Sequence, residues 1–132
     1  MKYVYPAVFT PEDGCYIVKF PDLENCYTDG ENITEALINA EDVLNLMLWH
    51  MEEKSEAIPA PSNPKKIPCS ETSFVSLVAA DTLKYRKLHD TKSVKKTLSI
   101  PRWLDAMARN KNINFSKALQ NALIAELDIE SR

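Results

Sequence analysis

The stretch "KSVKKTLSIPRWLDAM", Lys92 to Met107, changes period at Pro101. Before the proline, Val94, Leu98 and Ile100 share one face and Lys95, Thr97 and Ser99 share the other, the two-residue period of a strand. After it, Leu104, Met107 and Ala108 fall three and four apart, the period of a helix, with Pro101 suited to the first turn, where its missing N–H is not needed. Asn110 to Asn112 reads as a break in which Asn can take a positive φ. Asn114 reads as the N-cap of a second helix carrying Phe115, Leu119, Ala122, Leu123 and Leu127 on one side. One strand and two helices in about forty residues cannot bury enough surface to fold alone. A lone strand is also unsatisfied along both edges. Two copies that pair their strands antiparallel and interlock their helices remove both problems.

Such a dimer has a core of Leu98, Ile100, Leu104, Met107, Leu119 and Leu123. It exposes a two-stranded ribbon whose outer face shows Lys95, Thr97 and Ser99 from each chain. A two-stranded ribbon fits the DNA major groove, where these side chains reach base edges. The N-terminus of the second helix, with Asn114, Ser116 and Lys117, suits a backbone phosphate. A strand-helix-helix serving only for dimerisation is the plainer reading.

Charge placement agrees with the DNA reading. Residues 1–92 hold nine Lys/Arg against fifteen Asp/Glu, net −6, while residues 93–132 hold seven against four, net +3. The asymmetry suggests an acidic module beside a polyanion-binding one.

The upstream part reads as a small α+β layer in the order strand, strand, strand, helix, connector, strand. Tyr3–Thr10 and Cys15–Phe20 flank the turn signal "TPEDG" and read as a hairpin. Pro6 cannot donate to a ladder, which favours an edge or irregular place for the first strand. A short third strand is expected around Cys26 to Thr28. Asn32 with Glu35 three residues on resembles a capping box. The helix it opens runs to about Lys54, with Leu37, Ala40, Leu44, Met47 and Met51 on one stripe and Ile38, Leu48 and Trp49 widening the apolar surface. Residues 54–72, with four prolines, read as an extended connector. Ser73–Asp81 reads as a fourth, largely buried strand. The expected division is 1–82, a linker at 83–92, and 93–132.

No stretch approaches the roughly 18 apolar residues of a membrane span, and the N-terminus lacks the apolar core of a signal peptide. Three cysteines without close spacing suggest free thiols, small buried side chains and a cytoplasmic setting.

The order and spacing of "TLSIP" and "LDAMARNKNINFSKALQNAL" resemble the ribbon-helix-helix family over about Val94 to Leu127. One departure is Lys96, in phase with Val94, Leu98 and Ile100 where such ribbons place an apolar residue. "YPAVFTPEDGCYIVKFPDLENCYTDGENITEALINAEDVL" is similar to the HicB antitoxin family, through Phe20-Pro21-Asp22-Leu23, Cys26, Gly30, Glu35-Ala36 and Asn39-Ala40. Glu24-Asn25 stands where many members have Pro-Gly, which implies a changed turn in the same fold. The resemblance implies a degenerate RNase H-like N-terminal domain joined to a DNA-binding C-terminus, either ribbon-helix-helix or helix-turn-helix, and a HicA-like toxin partner, a small basic ribonuclease that cleaves mRNA. It also implies repression of the operon by binding operator DNA as a homodimer or a pair of dimers. An acidic module suits a basic partner, and the toxin contacts are expected at Asp22, Leu23 and Glu24, with Trp49.

An active nuclease would need several carboxylates converging on metal ions. Asp22, Glu24 and Asp81 are the only nearby candidates, and Asp22 reads better as a turn cap. His50 and His89 have no partners at metal-ligand spacing, and two glycines make no phosphate loop. The expectation is therefore a binding protein without catalytic residues, metal or cofactor. The alternatives are a repressor with a ligand- or protein-binding N-terminal domain, and a residual RNase H-like nuclease.

Overall fold

Asp13 and Gly14 both take positive φ, 48° and 81°. Those angles make the two-residue turn whose twist matches a hairpin, and they join β1 (Lys2–Glu12) to β2 (Cys15–Lys19), with Glu12 opposite Cys15. β3 (Tyr27–Gly30) and β4 (Phe74–Asp81) complete an antiparallel sheet of order β3-β2-β1-β4. The computed structural model describes residues 1–129; residues 130–132 of the expected C-terminal domain lie outside the described residues. The chain divides into two compact units, Met1–Lys92 and Ser93–Arg132.

The edge position expected for the first strand is corrected: β1 lies inside the sheet. Proline is tolerated there because β2 pairs with β1 only from Val8 onward, so Pro6 has β4 alone as a partner strand, opposite Leu77.

The first unit has its own core. Tyr5, Ala7 and Phe9 alternate inward along β1, with Val78 and Ala80 from β4 and Val18 and Phe20 from the β2 side. They pack on α1 (Ile33–Glu53), capped as expected by Asn32, whose side chain accepts the Glu35 N–H at 2.9 Å. The buried stripe is corrected. Ala36, Ala40, Leu44 and Leu48 face the sheet, Met47 and Met51 flank them, and Leu37 is exposed. The two alanines are the N-terminal pair of that stripe, where the start of the helix lies close against Gly30 of β3. β4 is less buried than expected, with Phe74 and Leu77 open to solvent.

The segment expected as a linker is corrected too. Residues Thr82–His89 form α2, with Asp81 as N-cap accepting the Lys84 N–H at 3.2 Å. It is anchored by polar groups, so hydrophobic periodicity gives no sign of it. Glu52 accepts hydrogen bonds from the Tyr3 hydroxyl at 2.6 Å, the Thr82 hydroxyl at 2.9 Å and Arg86 at 3.0 Å. The N-terminal ammonium donates to Thr82 Oγ1 at 3.1 Å, which closes the knot. Tyr85 stands edge-on to Trp49, with ring centroids 5.7 Å apart. Cys26 is buried, but Cys15 and Cys69 are exposed, against the expectation that all three are buried.

The second unit contains α3 (Arg102–Asn110) and α4 (Phe115–Glu126). Asn112 takes φ 55° in the break between them. Residues 90–101 make no ladder, so the strand expected over Ser93–Ile100 is not formed within the single chain. A strand needs a second strand for its N–H and C=O groups.

Candidate partner-binding and nucleic-acid interfaces

No described residue of the second unit is buried. Leu98, Ile100, Leu104, Met107 and Leu123, expected in a dimer core, are all exposed, from 42% at Leu104 to 64% at Leu98, and Leu119 is half-buried. Trp103, at 65% exposure, and Phe115, at 44%, lie among them. So much apolar surface on two short helices marks an association surface. Trp103 is an exposed aromatic that the sequence reading did not single out. Its position one turn before Met107, on the apolar side of the helix, is the sequence signal for it.

Lys95, Thr97 and Ser99 are exposed on the irregular segment before α3. At the start of α4, Asn114 Oδ1 accepts the Lys117 N–H at 3.0 Å, and Ser116 Oγ accepts from Gln120 at 3.1 Å. Asn114 thus caps the helix end while Ser116 pairs along the helix surface with Gln120, and Lys117 is the charged side chain of this turn.

In the first unit the nominated contacts separate. Leu23 is only 6% exposed and belongs to the core, so it is corrected from contact to packing residue. Asp22 accepts from the Ser62 N–H at 3.0 Å and from the Ser62 hydroxyl, tying the connector to the turn after β2. Glu24 is exposed. Asn25 takes φ 58°, the left-handed conformation that glycine otherwise supplies, so the turn closes with Asn in that place. Trp49 is half-buried on α1 against α2, apart from the Asp22 turn.

A broader feature surrounds that turn. Between Lys19 and Lys54 the chain carries nine Asp/Glu and no Lys or Arg. These carboxylates lie on the β2–β3 turn, β3, the short β3–α1 connection and α1, elements that also carry the exposed Tyr27, Ile33, Ile38 and Leu46. Counting charge by halves of the chain dilutes this run with the lysines around it.

Two of the three carboxylates considered for metal chemistry have structural work. Asp81 caps α2 and its N–H donates to Asn45, and Asp22 holds Ser62. Among the described residues no three His, Cys, Asp or Glu are grouped to hold an ion. His89 lies against the Tyr85 ring at 4.1 Å. Burial pushes the Cys26 thiol up to about 11, well away from a reactive thiolate. Among the described residues no helix is long and apolar enough to cross a membrane.

The model of the HicB-like antitoxins of bacterial toxin-antitoxin systems matches residues 4–86. A UPF0150 protein of Thermoplasma acidophilum is 36% identical over 59 residues, 45% of this chain and 84% of that protein. The antitoxin HicB of Escherichia coli K12 is 39% identical over 59 residues, 44% of this chain and 43% of its own length. Among solved structures, a chain of a toxin-antitoxin complex from Streptococcus pneumoniae is 30% identical with a TM-score of 0.61, covering 96% of this chain and 99% of that one. The antitoxin HicB of Burkholderia pseudomallei shares the fold, with a TM-score of 0.54 at 23% identity.

Proposed function

The chain belongs to the family of HicB-like antitoxins of bacterial toxin-antitoxin systems, and from that premise we propose that it is the antitoxin of such a pair. It neutralises a HicA-like, mRNA-cleaving toxin by direct binding, and it represses its own operon through a C-terminal ribbon-helix-helix. Its role is binding, not catalysis, and it acts in the cytoplasm. The observation that carries the reading is the likeness, at 30% identity over 96% of this chain, to a chain of a toxin-antitoxin complex.

The division of labour follows the two units. Met1–Lys92, a degenerate RNase H-like domain on this reading, holds the toxin. Its run of carboxylates, with Asp22 and Glu24 at one end and Glu52 and Glu53 at the other engaged by Arg86, suits a basic partner. Apolar contact supplies most of the affinity, while the rim charges set on-rate and specificity. The C-terminal unit pairs with a second copy, because its apolar helix faces have no core within one chain. Pairing turns the segment around Lys95, Thr97 and Ser99 into a ribbon for the major groove.

Growth rescue of cells expressing the toxin encoded beside this chain tests the reading. The whole chain and a fragment ending at Lys92 should both rescue, and only the whole chain should shift DNA from its own operon. Rescue by residues 93–132 alone, or by the whole chain only, overturns the division proposed.

A further inference from the structure

The positive charge of the chain does not respect the division into two units. Between Asp81 and Asp105 the sequence carries seven Lys/Arg and one carboxylate, Asp90, a net +6 in a protein of net −3. Residues 105–132 are neutral as a whole, so the +3 of the second unit comes entirely from Lys95, Lys96 and Arg102. The other half of the positive stretch lies before Ser93, on α2 and the residues after it, inside the first unit. α2 has two faces. Tyr85 and Arg86 turn to α1, where the Tyr85 hydroxyl donates to Asp42 at 3.3 Å and Arg86 pairs with Glu52 at 3.0 Å and Glu53 at 2.9 Å. Lys84, Lys87 and Leu88 are exposed, three and four residues apart on the other face. Lys84 borders a groove with Glu41 and Asp81 and is still open to solvent. Lys92, in the stretch that makes no ladder, is exposed as well.

We propose that Lys84 and Lys92 contact DNA phosphates when the protein is on its operator, carrying the DNA interface back across the unit boundary onto α2. The proposal rests on the reading of the C-terminal unit as DNA-binding. Chain length permits it. Lys92 stands three residues before Lys95, at most about 10 Å of extended chain. Lys84 is separated from Lys95 by five residues of helix and six of irregular chain, at most about 28 Å. Both distances fall within one turn of duplex, about 34 Å, along which a negative charge recurs every 1.7 Å or so. A tether this short holds the second site near the DNA at about millimolar effective concentration, at which weak phosphate contacts are occupied. Charge selects the occupant. A duplex is a polyanion, whereas the same lysines repel a basic toxin. Lysine also suits the task, being a point charge that positions a protein on the backbone without reading sequence.

The test is salt titration of the full chain on DNA from upstream of its own gene, in a long duplex and in one trimmed of its flanks. The Lys84→Gln/Lys92→Gln chain should bind the long duplex on the order of tenfold more weakly at about 0.15 M salt. Its slope of log affinity against log salt should fall by about 2–4, since a dimer loses four contacts. On the trimmed duplex it should match the parent, and Lys84→Arg/Lys92→Arg should restore binding to the long one. Lys65→Gln/Lys66→Gln removes the same charge from exposed positions of the connector and should bind like the parent. Retained growth rescue against the toxin shows that the first unit of each variant is folded. A Lys84/Lys92 variant that binds the long duplex like the parent overturns the proposal and leaves the DNA reading standing. An equal fall in the Lys65/Lys66 control also overturns it, because net charge would then be the whole effect. So does loss of toxin neutralisation with operator binding intact, which would give these lysines to the toxin. A parent that ignores its operator removes the DNA reading and the proposal together.

Discussion

A Cβ added to Gly30 would stand 2.3 Å from the backbone nitrogen of Ala36 and 2.6 Å from its Cα. Gly30 is the last residue of β3, and Ala36 is in the first turns of α1, so this contact sets how closely the helix enters over the sheet. Gly30 has no positive φ, and its glycine is required by space alone. Gly30→Ala should therefore destabilise the domain by about 1–3 kcal/mol through overpacking against backbone that cannot step aside. Thermal unfolding measures it, at roughly 4–8 °C per kcal/mol for a domain of this size. An unchanged melting temperature would mean that α1 is free to slide along β3.

Glu52 gives a pH-dependent prediction with an explicit sign. Burial pushes its carboxyl up, but hydrogen bonds from Tyr3, Thr82 and Arg86 and the nearby N-terminal ammonium outweigh that and hold it below its ordinary 4.5. Its contribution is complete above the unfolded pKa and is lost as pH falls through the lower folded one. Tyr3 behaves oppositely. Burial, then the hydrogen bond to Glu52, raises its hydroxyl from 10.0 to about 12, so its contribution is complete below pH 10.0 and is lost as pH rises through about 12. Glu52→Gln should cost about 2 kcal/mol at neutral pH and flatten the acid limb of a denaturation profile. An acid limb identical to the parent's would remove Glu52 as its source.

The exposed faces of α3 and α4 make pairing through residues 93–127 a measurable outcome. Light scattering at micromolar concentration should give at least twice the 15.0 kDa of one chain. Leu104→Asp should lower that mass and remove the helical circular dichroism of α3 and α4, while the sheet of the first unit stays intact. A monomeric variant that keeps all its helicity would show that these two helices fold without a partner.

The two classes of DNA contact should separate under salt titration. Lys95→Ala should weaken specific binding by about 1–3 kcal/mol if the side chain reads a base edge. Lys117→Ala should weaken all sequences alike and lower the salt slope by about one. Fluorescence anisotropy on operator and scrambled duplexes distinguishes them. A Lys95/Thr97/Ser99 triple alanine chain that binds its operator normally would remove the ribbon face from recognition.

The sequence by itself determined the local elements. The "EDG" turn, the Asn32 cap, the Asn112 break and the Asn114 cap are signalled by residues close in the chain, because the φ angles and hydrogen bonds involved span only a few positions. It also marked residues 93–132 as a unit that cannot make a core, since the apolar faces of a strand and two short helices are countable from their periods. The tertiary structure decided what depends on distant partners. β1 went inside the sheet because β4, distant in the chain, pairs with its other edge, and α1 turned its alanines inward because the sheet comes close. Leu23 was drawn into the core as the β2–β3 turn closed. α2 formed where no apolar period announces a helix, because Glu52, thirty residues before Thr82, supplies the acceptor that holds it. Hydrogen bonds of that reach leave no periodic trace in a sequence, so only the folded chain reveals them.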